Sequence, residues 1–383
     1  MTATTPIPGD VGADPHGHTL ADLPDGATPP DPVVIEPDDE SVNPWAVRLR
    51  GWGRLAAALA GAIGIFAAFL VAKGADPVEV FEAMWKSAFG DPDKLGETLI
   101  RATPLLLAAL AVAVPARAGL FNIGGEGQLL MGAIGATAVG YALGEDSPMA
   151  LTLVLMALGG SLAGAMWAAI PALLKHFTDT SEAIVSLLLN YLAFIVLSWL
   201  VFEPWKDPMS TGQAYSRSLE DNQNLPIIWG NRVHLGIVVA AVAAVVVWLV
   251  LRGTRWGFEL KVLGGTPEAA RRAGLKVGFL GFSALAVGGA LAGLGGMLHV
   301  AGVEDRLRPD LMVGYGYIGF LAAWLARHDP LKCIGAAVLL GAIAVGGTGL
   351  KISAGLSGAA VNVLMALVLL AVLGWSRPAP RKA

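Results

Sequence analysis

Residues Leu235 to Leu251 run for seventeen positions without a charge, a proline or an asparagine. As a helix rising ~1.5 Å per residue, that run covers most of a ~30 Å hydrocarbon core. Comparable apolar runs recur every 25 to 35 residues. With 55% of residues hydrophobic, 15% charged and a mean hydropathy of +0.63, the chain reads as a polytopic, all-α membrane protein.

Ten transmembrane helices are predicted, centred near residues 53–72, 99–115, 121–143, 150–170, 183–202, 234–252, 278–299, 311–327, 331–349 and 356–375. Lys and Arg in the short loops set the orientation. Arg48, Arg50 and Arg54 precede the first span, Arg252, Arg255, Lys261, Arg271, Arg272 and Lys276 follow the sixth, and Arg377, Arg381 and Lys382 follow the last. An even number of spans puts these clusters on one face, so both termini are expected in the cytoplasm, with sixteen of the 26 basic residues inside.

The first 44 residues carry nine prolines, nine acids and no Lys or Arg. Such a segment buries too little apolar surface to offset chain entropy. It is expected to be a disordered acidic cytoplasmic tail, without the basic and apolar regions of a secretory signal. Removing it takes the net charge from −4 to +5, since nine acids and no bases leave. The transmembrane domain then covers 45–376, and 377–383 form a cytoplasmic tail. Cys333 is the one cysteine, which excludes an intramolecular disulfide and leaves a small apolar residue.

Two segments on the outer side differ from the spans. Val78, Phe81, Met84, Trp85, Ala88 and Phe89 recur at helical spacing between Glu79, Glu82 and Lys86, predicting an amphipathic helix at the interface. Residues 203–233 form a long extracytoplasmic loop with Trp205, Asp207, Arg217, Glu220, Asp221 and Trp229. It reads equally as solvated loop or as part of a docking surface.

Within the third span, GLFNIGGEGQLLMGAIG (119–135) holds six glycines with Asn122, Glu126 and Gln128. Unwound backbone at membrane depth is tolerated only against protein or a watery cavity, and a carboxylate facing lipid costs roughly 2.5–3.5 kcal/mol. Glu126 is therefore expected to face inward, either capping a half-helix N-terminus or beside a pathway. These two roles are compatible. The eighth span opens GYGYIGFLAAW (314–324), a matching small-residue start. Spans two to five and seven to ten then read as two inverted repeats with broken helices near the centre, the arrangement that marks a central site in repeat-built transporters. By span position, the expected pathway residues are Asn122, Glu126 and Gln128 with Tyr315, Tyr317, Phe320 and Trp324, a mixture of stacking faces and polar edges.

The loop between spans six and seven contains GTRWGFELKVLGGTPEAARRAGLKV (253–277). Thr266 is a good N-cap, Pro267 is preset for the first turn, Glu268 complements the dipole and Gly274 ends the helix. A short cytoplasmic helix over 267–273 follows, too charged and too brief to bury much except against another protein.

Other residues read as structural. His299 near Glu304 and Asp305 is expected to be solvated on the outer surface. Asn190 and Asn362, at matching depth in spans five and ten, either bond between helices or line the path. Asp179 with Glu182 is expected to cap span five. No G-x-x-x-x-G-K-[ST] sequence occurs, so ATP, if used, is bound by another subunit.

ETLIRATPLLLAALAVAVPARAGLFNIGGEGQLLMGA (97–133) resembles the signature region of bacterial ABC importer permeases, in the nucleoside and simple-sugar branch of the branched-chain amino acid/ribose-type family. TSEAIVSLLLNYLAF (180–194), GFELKVLGGTPEAARRAGL (257–275) with ALAGLGGML (290–298), and GYIGFLAAWLARHDP (316–330) extend the resemblance over roughly residues 50–375. It implies that the short helix is a coupling helix, contacting an ATPase through Thr266, Pro267, Glu268, Ala269, Arg271, Arg272 and Gly274. The implied partners are a second, homologous permease in a heterodimer, a tandem cytoplasmic ATPase that uses ATP and Mg, and an extracytoplasmic nucleoside-binding lipoprotein. No cofactor is expected on this chain, no nucleic acid as partner, and the location is the bacterial inner membrane. The implied activity is nucleoside transport without catalysis by this chain. Pentose transport and a proton-coupled carrier in which Glu126 titrates stay open as alternatives. A membrane-embedded enzyme would require convergent nucleophiles or metal ligands, and no such cluster is legible.

Overall fold

The computed structural model describes residues 44–230, 232–353 and 359–375. The expected tails, through residue 43 and from 377, lie outside these residues. The chain divides at Gly51 into two units; in the first, residues 44–51 are helical, and everything below concerns the second, Trp52–Ala383.

Thirteen α-helices are described: α1 (Pro44–Ala72), α2 (Pro77–Phe89), α3 (Pro92–Ala116), α4 (Gly125–Leu143), α5 (Met149–Thr178), α6 (Glu182–Phe202), α7 (Gly236–Gly253), α8 (Arg255–Gly265), α9 (Pro267–Arg272), α10 (Val277–His299), α11 (Tyr315–Leu325), α12 (Pro330–Ser353) and α13 (Ala359–Trp375). A helix therefore occupies each of the ten expected apolar segments. Among the described residues, six are long and apolar enough to cross a membrane unaided: α3, α5, α6, α7, α10 with its π-helical continuation Val300–Glu304, and α12. α1 with α2, bent by 114°, passes the same test as a pair.

The eighth segment departs from expectation. Instead of a span over 311–327, α11 has eleven residues, about 16 Å of helix at ~1.5 Å per residue. The chain before it turns through left-handed backbone at Asp305, Met312 and Gly314. That geometry ends a helix whatever the hydropathy of the run.

α3 is the central element. Asp91 caps it, accepting from the Lys94 amide at 2.8 Å, Pro92 occupies its first turn, and Leu105 to Val114 are buried all round. By contrast α5 is two-faced. Thr152, Met156, Gly160, Gly164 and Ala168 are buried at four-residue spacing while Val154, Leu158, Leu162 and Met166 are exposed, the stripe of a helix with one face on protein and one on lipid.

Glycine permits the closest packing, between α4, α5 and α10. A Cβ placed on Gly293 would lie 2.2 Å from the Gly160 carbonyl oxygen, and one on Gly132 would lie 2.2 Å from the Gly293 Cα. No side chain fits at these crossings.

The helix pairings have the twofold correspondence expected of repeats. α4 packs on α10 as α11 packs on α3, α5 on α10 as α12 on α3, and α4 on α5 and α6 as α11 on α12 and α13. The breaks match as well, since α3 and α10 are each followed by an irregular segment (117–124 and 305–314) leading into α4 or α11.

The amphipathic helix appears as α2, capped by Asp76, which accepts from the Val78 amide at 2.8 Å. Its buried stripe is Val80, Met84 and Ala88, and Val78 and Trp85 are exposed. The stripe is rotated from the expected one because α2 packs on both α3 and α12.

The 203–233 segment is more structured than a plain loop. Ile227–Trp229 (β1) pairs antiparallel with Val233–His234 (β2). The amides of Ser216, Leu219 and Leu225 bond to the carbonyls of Leu307, Asp305 and Ala301 at 3.0, 2.6 and 2.7 Å. Asn222 Nδ2 donates to the carbonyls of Gly144 and Ser147 at 3.0 and 2.9 Å. The segment is thus bonded to the residues after α10 and after α4.

Candidate functional site

The N-termini of α4 and α11 meet. Gly125 of α4 abuts Gly316 of α11, and a Cβ on Gly316 would lie 2.1 Å from the Glu126 nitrogen. From that point α4 runs toward the 203–235 segment, where Gln223 Nε2 donates to Gly140 O at 3.0 Å. α11 runs the opposite way, ending near His328 and Arg117, whose carbonyl lies against Gly264 of α8.

Two N-termini pointed at one another place like partial charges together and leave unpaired amides. Glu126, in the first turn of α4, answers both. Its Oε2 accepts from the Gly316 amide at 2.6 Å, its Oε1 accepts from the Gly314 amide, and the Tyr317 amide bonds to the same carboxylate. The first turn of α4 is served from α6: Asn190 Oδ1 accepts from the Gly127 amide at 2.9 Å while its Nδ2 donates to Ile123 O at 3.0 Å and to the Tyr317 hydroxyl at 3.3 Å.

Beside this junction, Asn122 and Gln128 form a reciprocal amide pair, each Nδ2 or Nε2 donating to the other's carbonyl at 2.9 Å. Asn122 also donates to Ala111 O at 3.0 Å and accepts from the Gly124 amide at 3.1 Å. Asn122, Glu126 and Gln128 are all buried. Their polar groups bond to the protein itself.

The α11 residues divide among three places. Tyr317, partly exposed, joins the Asn190 bonds. Phe320 and Trp324 lie toward the α9 end, where Trp324 stacks on Phe121 with ring centres 6.4 Å apart and meets His328 edge-on at 4.8 Å. Phe121 is half exposed, and its amide donates to Glu182 Oε1 at 3.1 Å; Glu182 also pairs with Lys175 at 2.7 Å. Asp179, expected to cap the following helix, instead sits in left-handed backbone as the C-cap of α5, because the helix start lies at Ser181 and Glu182.

Tyr315 lies on another side of α11, toward the 203–235 end. It faces a cavity of about 220 Å³ lined also by Arg101, Leu105, Ile318, Ala344, Val361, Asn362 and Met365. Around it stands a charged group that sequence reasoning missed in part. Arg101 lies 3.6 Å from Glu97, which also pairs with Arg232 at 3.1 Å, and Glu304 pairs with Arg308 at 2.9 Å and with His299 at 3.5 Å. His299 was expected to be solvated, but it is buried, its ring 5.4 Å from that of Tyr315. The available signal was Arg101 itself, a cation inside the apolar run of α3. The paired asparagines diverge, Asn190 being buried in bonds and Asn362 exposed at the cavity.

At the opposite end, α9 spans Pro267–Arg272 with Gly274 left-handed after it. Thr266, Pro267, Glu268, Ala269, Arg271, Arg272 and Gly274 are exposed, and Ala270 is the buried contact with the rest of the chain. α8, unforeseen in the sequence, precedes α9, with Thr254 accepting from the Gly257 amide at 3.2 Å and Leu260 and Leu263 buried.

The family described as branched-chain amino acid transport system, permease component, matches residues 95–373. Among similar proteins, a glucose ABC transporter permease protein of Haloferax volcanii is 37% identical over 81% of this chain and 83% of its own length. Two guanosine ABC transporter permease proteins of Bacillus subtilis are also similar. One is 33% identical over 80% of this chain and 88% of its own length, the other 26% identical over 64% and 78%.

Proposed function

This chain belongs to the family of branched-chain amino acid transport system permease components, and from that premise we propose that it is the membrane subunit of an ABC importer whose cargo is a nucleoside. The opposed pair α4 and α11 carries the transport reading. α4 and α11 each reach from a shared pinned junction to one end of the bundle, so a tilt of either opens one end while the junction holds. The guanosine permeases of Bacillus subtilis support the cargo.

The importer also needs a second permease, a cytoplasmic ATPase and an extracytoplasmic binding protein. Two distinct guanosine permeases in one organism support a heterodimer. With α9 in the cytoplasm, its exposed residues Thr266, Pro267, Glu268, Ala269, Arg271, Arg272 and Gly274 form the contact with the ATPase, which hydrolyses ATP with Mg. The 203–235 segment and both termini then follow the positive-inside rule, the segment outside and the termini inside. Asn122, Glu126 and Gln128 hold the hinge, and Tyr315, Tyr317, Phe320 and Trp324 flank the path on α11.

A simple-sugar cargo is the second reading, favoured by the 37% identity to the Haloferax volcanii glucose permease. The test is uptake of labelled guanosine and labelled glucose by the complete transporter in liposomes. ATP-dependent guanosine uptake that requires the binding protein is expected. Glucose uptake alone would establish the sugar reading, and accumulation by this chain under a pH gradient without an ATPase would overturn the importer reading.

A further inference from the structure

We propose that Arg101, Tyr315 and Asn362 form a substrate station that grips an uncharged nucleoside in the cavity between α3, α11, α12 and α13. The station lies apart from the Glu126 junction, and its cargo assignment rests on the nucleoside reading above.

The cavity, about 220 Å³, is suited to one small molecule. Its wall is mainly aliphatic, from Leu105, Ile318, Ala344, Val361 and Met365, with three polar side chains among the described lining residues. Those three are complementary in type. Tyr315 offers an aromatic face, the Asn362 amide both donates and accepts, and Arg101 donates only. Asn362 is exposed at this surface. The Arg101 side chain bonds to the Tyr315 hydroxyl, while its Nε is buried without a hydrogen-bond partner among the described residues, with Glu97 Oε1 3.6 Å away. A buried donor left unbonded is unfavourable, and a carbonyl or hydroxyl oxygen of a ligand in the cavity relieves it.

Charge selects among ligands. Glu97, Glu304 and Asp310 match Arg101, Arg232 and Arg308 in number in the ion pairs beside the cavity. No net positive field remains to hold a phosphate, so nucleotides are disfavoured and neutral nucleosides accepted. Polarity selects further: a hexose, with hydroxyls around its whole ring, would leave several against the aliphatic wall without partners. A nucleoside turns its base to the tyrosine and aliphatic side and concentrates polar groups at its edges.

The test uses the complete transporter in liposomes, with guanosine, uridine and guanosine monophosphate, and the variants Arg101→Gln and Asn362→Leu. Each variant is expected to slow nucleoside transport at saturating loaded binding protein at least tenfold. ATPase stimulation by that binding protein should persist, and Asn362→Leu should change the guanosine-to-uridine rate ratio at least threefold. Guanosine monophosphate should not compete. Transport within twofold of wild type in both variants, with an unchanged ratio, would overturn the station. If Arg101→Gln fails to assemble with the ATPase, the exposed Asn362 decides by the same criteria. Should the wild-type transporter carry glucose and no nucleoside, the cargo reading falls, and the two variants measured with glucose still report whether the station exists.

Discussion

Glu126 Oε2 accepts the Gly316 amide proton at 2.6 Å, tying the first turn of α4 to the first turn of α11 across 190 residues of sequence. The bond sets what substitution there should do. Glu126→Gln keeps one carbonyl acceptor but loses the charge that both N-termini favour, an effect of about 1–2 kcal/mol. Glu126→Ala leaves the amides of Gly314 and Gly316 without their acceptor, at about 1–3 kcal/mol each. Thermal unfolding in detergent should rank wild type above Glu126→Gln and Glu126→Ala lowest, with transport following the same order. Full stability in Glu126→Ala would mean that the junction does not depend on this carboxylate.

The glycine crossing of α5 and α10 gives a sharper contrast. A methyl group on Gly293 meets the Gly160 carbonyl at 2.2 Å, and both are backbone positions that move only with their helices. Gly293→Ala is expected to destabilise by about 3 kcal/mol or to prevent folding. Gly335, in α12, has nothing within 4 Å of an added Cβ, so Gly335→Ala should stabilise by about 0.5–1 kcal/mol through helix propensity. Melting temperatures of the two variants should move in opposite directions; equal shifts would contradict this packing.

The sequence carried the helices and half of the junction. Apolar length locates spans because lipid demands it, so all ten apolar segments are helical. The same signal hid the shortness of α11: 311–326 carries no charge, while the break comes from positive φ at Met312 and Gly314, which hydropathy does not register. α8 escaped notice because its buried contacts, Gly257, Leu260 and Leu263, are too few to make a periodic stripe. Glu126 was legible as a carboxylate needing partners. Those partners were not legible, because backbone amides of glycines leave no side-chain trace and lie far along the chain. Arg101 was legible in hindsight by the rule that made Glu126 visible, an ionised group inside an apolar run.

His328, in the turn between α11 and α12, gives a pH dependence. Burial holds its pKa below the ordinary imidazole value, and the nearby Arg117 guanidinium acts in the same direction. The native state therefore keeps it neutral, edge-on against Trp324 at 4.8 Å, while the unfolded chain takes up the proton near pH ~6.5. A depressed folded pKa means that its stabilisation is complete above that pH and is lost as pH falls toward the folded value. Melting temperature should drop between pH 7.5 and 5, and His328→Gln should flatten part of that drop. An identical pH slope in the variant would show that His328 titrates freely.

The exposed surface of α9 separates folding from coupling. Among the described residues Arg271 and Arg272 pair with Glu268 alone, at 3.9 and 3.2 Å, and all three are exposed. Such pairs contribute about 0–1 kcal/mol, so Arg271→Glu with Arg272→Glu should leave the melting temperature nearly unchanged. If this face meets the ATPase, the same double variant reverses two charges in the contact and should reduce copurification of the ATPase and binding-protein-stimulated hydrolysis at least tenfold. Ala270, the buried contact of α9 with its own chain, should behave oppositely. Ala270→Asp places an unpaired carboxylate in that contact and should lower the melting temperature even in the chain alone. Loss of coupling without loss of stability in the first variant, and loss of both in the second, is the expected pattern. Unchanged hydrolysis in the double arginine variant would remove α9 from the coupling surface.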